Sequence, residues 1–146
     1  MKFSTGLRNG ILVTGSVKSQ LDGGTIKVYS ATTLPADADA AETGTLLLKI
    51  SLTGTGSGLV LDSTASGGAF GIPSGATWKG TVATSGTANY FRWVPSGDTG
   101  ASSTTAKRIQ GTIGIANADM IWTVPALVSG NEKILNAFTL AFPIGS

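Results

Sequence analysis

The sequence predicts an all-β domain, an antiparallel β-sandwich of jelly-roll type preceded by a short helix or extended arm. Three observations carry this. Glycine is abundant, at 21 of 146 residues, and long Ala/Glu/Lys/Leu runs are missing, so local propensity favours strands and turns. Apolar residues alternate with polar ones in at least six segments of five to nine residues, the period of a half-buried strand. Turn residues punctuate those segments at short, regular intervals with no fixed repeat, as in sandwiches and barrels. At this length one domain is expected over 1–146, with 1–21 as its N-terminal arm or helix.

Residues 4–21 form the one helical candidate. Leu7, Ile11, Val13, Val17 and Leu21 share a side at 100° per residue, Ser4 or Thr5 supplies a cap, and Gly23 a left-handed stop. Gly10 and Gly15 oppose it, each costing up to about 1 kcal/mol against Ala. The rival is an extended arm with a strand over Ile11–Val17. In both cases Met1–Thr5 is expected to be mobile unless a partner holds it.

Thr25–Tyr29 alternates, with Ile26 and Val28 inward and Lys27 and Tyr29 outward. Thr45–Leu52 follows, with Leu46, Leu48, Ile50 and Leu52 inward and Leu47 as the exception. Gly54–Gly58 turns it into a hairpin with Leu59–Asp62. Loop 63–75 leads to the clearest hairpin pattern, Thr77–Ala83 and Thr87–Val94, with Trp78, Val82, Phe91 and Trp93 inward and Tyr90 and Arg92 outward. Pro95 ends this strand, and Ser96–Thr105 is expected to be an exposed, mobile loop. Lys107–Ile115 places Ile109, Ile113 and Ile115 inward, Asp119–Val124 does so with Met120, Trp122 and Val124, and Lys133–Phe142 closes the series with Ile134, Phe138, Leu140 and Phe142 inward.

Chemistry is scarce. Neither Cys nor His occurs, which removes disulfides, thiolate nucleophiles, His-dependent triads and the usual zinc ligands. The net charge of +2 is spread singly, with Lys107-Arg108 the one adjacent basic pair, so neither nucleic acid nor an anionic membrane is an expected partner. No apolar stretch reaches membrane-spanning length, and Ile11–Val13 is too short for a secretion signal. Asp37, Asp39 and Glu42 lie close enough to suggest a Ca²⁺ loop, but the Gly and distant Glu of an EF-hand are missing, which favours a solvated, charged connector. Gly54, Gly56 and Gly58 lack the Lys-Ser/Thr and helix of a phosphate loop. No enzymatic activity and no cofactor or metal are expected. Trp78 and Trp93 are assigned to the core, while Trp122 and Tyr90 remain candidates for sugar stacking.

The stretch Leu21–Leu48 resembles small virion proteins of tailed bacteriophages. The shared pattern runs from Gly23-Gly24 through Ile26, Val28 and Tyr29 to Pro35-Ala36-Asp37, Asp39, Ala41 and Gly44-Thr45-Leu46-Leu47. Ala31 replaces the usual Gly after Tyr-Ser. A looser likeness continues through Tyr90-Phe91-Arg92, Ser96–Gly100 and Arg108–Thr112. The resemblance implies a capsid decoration, or cement, protein on the outer surface of a virion. Its partners would be the major capsid protein and itself, as homodimer or homotrimer. On this view Met1, Lys2, Phe3, Leu7 and Arg8 form an arm reaching a neighbouring subunit, and Tyr90 and Arg92 lie on a partner-covered face. The alternatives are a neck or tail-associated virion component and a carbohydrate-binding sandwich.

Overall fold

A computed structural model describes residues 1–142. It begins with a strand, not a free arm. β1 (Lys2–Phe3) pairs antiparallel with the edge of the main sheet. α1 (Thr5–Asn9) follows, then a single π-helical turn over 10–14, then α2 (Val17–Leu21). The expected single helix over 4–21 is therefore broken in two. Ser4 caps the first piece, its Oγ accepting the Leu7 N–H at 3.1 Å, and Ser16 caps the second. The break falls at Gly15, whose extended backbone separates the π-helical turn from α2, while Gly10 stays helical and is buried against the end of the Gln20 side chain. This leaves Leu7, Val17 and Leu21 in the core as expected but turns Val13 out to solvent.

The main sheet runs β1, β8 (Ile109–Gly114), β7 (Tyr90–Val94), β2 (Thr25–Ser30), β3 (Thr45–Leu52), β5 (Trp78–Thr81) and β11 (Glu132–Leu135), all antiparallel. β9 (Met120–Ile121) adds in parallel to β8. Two small ladders complete the described strands: β4 (Ala69–Gly71) with β12 (Thr139–Ala141), and β6 (Gly86–Thr87) with β10 (Ala126–Leu127). The sheet folds over at β3. Residues 45–50 of β3 pair with β2 and its last two residues pair with β5, so two wings come to face each other. Trp78 of one wing meets Trp93 of the other edge to face at 5.3 Å, and Phe138 packs against both rings. All three are buried, as are Ile26, Val28, Ile50, Leu59, Leu61 and Ile109 around them.

The all-β, antiparallel expectation with a short N-terminal helix thus describes the fold, with sandwich-like packing of two wings. The wings share β3 instead of forming the two four-stranded sheets of a jelly roll, so that finer expectation finds no match in this strand order. Several pairings also differ. The segments around Trp78 and Trp93 are not hairpin partners: β5 lies between β3 and β11, and β7 between β2 and β8. Their aromatic residues meet across the core and not across a ladder. Leu59–Asp62 does not pair with β3. It runs beside Gly23-Gly24, with Leu59 N–H donating to Gly24 O and Gly23 N–H to Leu59 O. The expected last strand is interrupted at 136–138, which leaves Ile134 exposed and Leu135 buried.

One reversal has a compact cause. Val28 lies opposite Leu48, yet Tyr29 lies opposite Leu46, so Leu47 is an extra residue in β3. Such a bulge shifts the alternation by one. Leu47 enters the core at 0 % exposure, and Leu46, expected inside, is exposed.

Candidate interaction surface

One face of the β2–β7–β8 sheet is apolar and covers the core. The other carries Lys27, Tyr29, Tyr90, Arg92 and Gln110, and sequence alternation places it outward. The structure closes it. The 31–44 segment lies across it as a strap, and the 95–107 segment covers its flank. Tyr90 and Arg92 are 0 % exposed, so neither lies on an open face of the chain. This corrects their expected role as surface contacts. Tyr29 and Tyr90 stack at 4.9 Å, and the Tyr90 hydroxyl donates to Thr43 O at 2.6 Å in the strap.

Charge explains why the strap is held. The register sets Lys49, Lys27, Arg92, Gln110 and Lys2 opposite one another across five strands. Such a row repels itself unless anions or dipoles cover it. Glu42 pairs with Lys27 Nζ at 3.0 Å and accepts the Tyr29 hydroxyl. Arg92 donates to the carbonyls of Ala40 at 2.8 Å and Asp37 at 3.0 Å, and to the Gln110 side chain. Lys2 Nζ donates to Ala36 O at 2.5 Å. In the flanking loop Asp98 receives a two-pronged bond from Arg108, at 2.7 Å from Nε and 2.8 Å from Nη2. Burial opposes the charge on Asp98, but the Arg108 fork and the Gly100 N–H outweigh it and hold the carboxyl below its usual range. Tyr29 moves the other way: burial, then its bond to Glu42, raises the phenol well above its ordinary value.

The Asp37–Glu42 loop is thus exposed on its outer side, as a solvated connector would be, but its carboxylates are not free. Asp37 accepts the N–H groups of Asp39 and Ala40, Asp39 accepts the N–H and hydroxyl of Thr5, and Glu42 serves Lys27 and Tyr29. Among the described residues no cluster of acidic side chains is arranged to hold a metal ion. The 96–105 loop, expected to be mobile, is packed in the same way, with Ser103 N–H donating to Asp39 O.

The N-terminal candidates separate. Phe3 is half-buried against Phe142, Leu7 is fully buried in the core, and Arg8 is exposed with its guanidinium on the Thr5 hydroxyl. The Met1 amine pairs with Asp119 at 2.5 Å. The segment expected as a reaching arm is the edge strand of its own sheet.

What remains open is the apolar side between the wings. A groove of about 460 Å³ separates β9 from β11 and the 136–139 segment, and Met120, Ile121, Trp122, Ile134 and Phe138 help to line it. A second hollow of about 480 Å³ shares Met1 and Thr139 with it and extends to Phe3 and Phe142. Met1, Ile121, Ile134 and Phe142 are each exposed along this side. Trp122 is buried, and Lys133 Nζ sits 4.4 Å over its ring. Neither Trp122 nor Tyr90 presents a free face for a sugar. Alternation had assigned Ile134 and Phe142 to the interior; the break at 136–138 puts Ile134 out of phase with Phe138 and Leu140, and Phe142 lies just past the end of β12. A separate apolar tip, Leu12 and Val13 on the π turn, projects at 80 % and 87 % exposure. Among the described residues no helix is long and apolar enough to cross a membrane. No family model, curated protein or solved structure matches the chain.

Proposed function

We propose that this chain is a structural virion protein, a capsid decoration protein that seats on the major capsid protein outside a phage head and bridges neighbouring capsomers. The observation that carries the reading is the open side between the wings, where exposed apolar side chains border a long groove in a domain that has closed over its charged face. Such a side fits a contact role, because a groove bordered by exposed apolar side chains with a polar rim is the kind of surface another protein covers. The resemblance of Leu21–Leu48 to tailed-phage virion proteins supplies the setting, and its residues here build a strand, a strap and a second strand that stiffen the domain. A rigid domain loses little conformational freedom on seating, and repeated copies on a lattice multiply modest contacts.

This reading puts the contact on the open side and not on the N-terminal arm, whose strand is paired within its own sheet. Removing residues 1–8 would delete Leu7 from the core, so it no longer isolates attachment from folding. The better test is Ile121→Asp combined with Ile134→Asp, added to particles stripped of the protein. Attachment should weaken by at least about tenfold, equivalent to 1.4 kcal/mol, while thermal stability stays within a few degrees. Undiminished attachment would remove the open side from the reading. Copy number in purified particles separates a head role from a neck or tail one: a few copies per particle would favour the latter, and none would exclude a virion role.

A further inference from the structure

We propose that the groove on the open side is the unfilled seam of a barrel-like sheet, and that it takes one extended strand of the protein on which this chain seats. This occupant presupposes the contact role proposed above and gives the form of the partner's segment. The main sheet curls until strands from its two ends line one groove. At one end β1 and β9 share the outer edge of β8, β1 opposite Ile109 and Gln110 and β9 opposite Ile113 and Gly114. At the other end lies β11, paired to β5, with β12 beyond the 136–138 break, paired to β4. Among the described residues each of these four strands pairs on one side only. The groove separates β9 from β11, and the second hollow separates β1 from β12. Both walls of the open side are therefore strands with an unpaired edge, the feature that a closed barrel lacks.

The phase of the β11 ladder shows which backbone groups are on offer. Val82 N–H donates to Asn131 O at 2.9 Å, so alternation along β11 ties Lys133 and Leu135 to β5 and leaves the N–H and C=O of Glu132 and Ile134 on the free edge. Lys133 reaches across the groove to place Nζ 4.4 Å over the Trp122 ring, so one side chain spans the gap at that point. That width suits a strand, which pairs at about 4.8 Å, and excludes an α-helix about 10 Å across. Side chains set the partner's composition. Met120, Trp122 and Phe138 line the groove and are buried, which calls for apolar residues at every second position of the strand. Asp119 is held by the Met1 amine, so Lys133 is, among the described residues lining the groove, the one cation without a carboxylate partner. An Asp or Glu where the strand passes Lys133 supplies the complementary charge.

The test uses the intact chain and particles stripped of it. Ile134→Ala trims the side chain and keeps the edge N–H, whereas Ile134→Pro removes that N–H and leaves the ladder to β5 in place. Attachment should fall at least about tenfold further for Ile134→Pro than for Ile134→Ala, because an acceptor on the incoming strand is left buried and unpaired. Hydrogen exchange of the natural chain is followed by mass spectrometry, free and on particles. The 119–123 and 131–136 segments should exchange at least about tenfold more slowly when attached. Equal attachment of the two variants, or attachment that leaves exchange of both segments unchanged, overturns the strand and retains the contact role, since side chains alone then make the contact. A natural chain that does not attach to particles removes the contact role and the strand together. Exchange that slows in the free chain as its concentration rises assigns the seam to a second copy and overturns the partner named here. Should Ile134→Pro fail to fold, exchange in the natural chain decides alone.

Discussion

The covered face of the sheet and the open side between the wings were built by opposite choices. On the covered face the chain takes charge inside. Lys27, Arg92, Arg108, Glu42 and Asp98 lie beneath or within the strap and its flanking loop, with Asp37 and Asp39 on the strap itself, each tied to named partners. On the open side it leaves Ile121, Ile134 and Phe142 in contact with solvent. The sparse charge of the sequence is thus sparser still on the surface. The polar face has its bonding capacity largely consumed within the chain, whereas the apolar side is left with burial still to gain. That difference is why a contact role is assigned to the second region and a bracing role to the first.

The most damaging way to break the covered face is to remove one member of its tightest pair. Asp98 and Arg108 have side chains only 2 % exposed, so Asp98→Ala strands a buried guanidinium and should cost about 3–5 kcal/mol in urea unfolding. The same pair predicts sensitivity to acid. The Asp98 carboxyl is held below its unfolded value of about 3.9, so its stabilising contribution is intact above that pH and is lost as pH falls through the lower folded value. Asp98→Ala should therefore flatten the acid limb of the stability profile as well as lower its plateau. Equal acid sensitivity in the variant would show that other carboxylates set that limb.

Gly23-Gly24 lies at the entrance to β2, where the strap's supporting strand meets the core. Gly23 adopts a left-handed φ of +81° with open space around it, whereas a Cβ at Gly24 would meet Trp93 Nε1 at 2.3 Å and Val94 O at 2.7 Å. Gly24→Ala should cost about 1–3 kcal/mol through forced repacking and Gly23→Ala about 1 kcal/mol through backbone strain, compared by thermal unfolding. The reverse order would mean that the Trp93 ring gives way easily.

Tyr29 tests the covered face from the alkaline side. Its phenol is raised above the ordinary value by burial and by Glu42, so the unfolded chain loses that proton first, near pH 10. The stability it confers is complete below that pH and falls as pH rises beyond it. Tyr29→Phe should lose about 1 kcal/mol at pH 8 with the Glu42 bond, and less than the natural chain between pH 8 and 11. A parallel decline in both proteins would assign the alkaline transition to other groups.

The two regions were unequally legible in the sequence. Alternation placed Ile26, Val28, Trp78, Phe91, Trp93 and Ile109 in the core correctly, because each lies in a regular ladder. It failed at Leu46 and Leu47, where a single bulged residue inverts the pattern, at Ile134, which an interruption puts out of phase, and at Ile115, Val124 and Phe142, which lie beyond the ends of their strands. It also took Tyr90 and Arg92 to face water or a partner, where the chain's own strap covers them. Period two separates the two faces of a sheet but says nothing about what lies on the second face. The available signal was charge: Lys27, Arg92 and Arg108 share one face, and Asp37, Asp39, Glu42 and Asp98 occupy the two loops long enough to cross it. The chain's partner choices, by contrast, depend on pairing between distant segments, and no local pattern records them.

The smallest expected effect sharpens what exposure means on the apolar side. Leu12 and Val13 are more exposed than any residue of the groove, yet they stand on one short turn and do not line it. Replacing both with Ser removes apolar surface that contributes little to folding, so stability should change by no more than about 0.5 kcal/mol. Attachment to particles should likewise be unchanged if contact is made along the groove, where Ile121 and Ile134 border a concave surface able to exclude water. The two double variants together form a discriminating pair. Loss of attachment with Leu12→Ser and Val13→Ser, and its retention with Ile121→Asp and Ile134→Asp, would transfer the contact to the π turn. Exposure, not concavity, would then be what marks the functional surface of this fold.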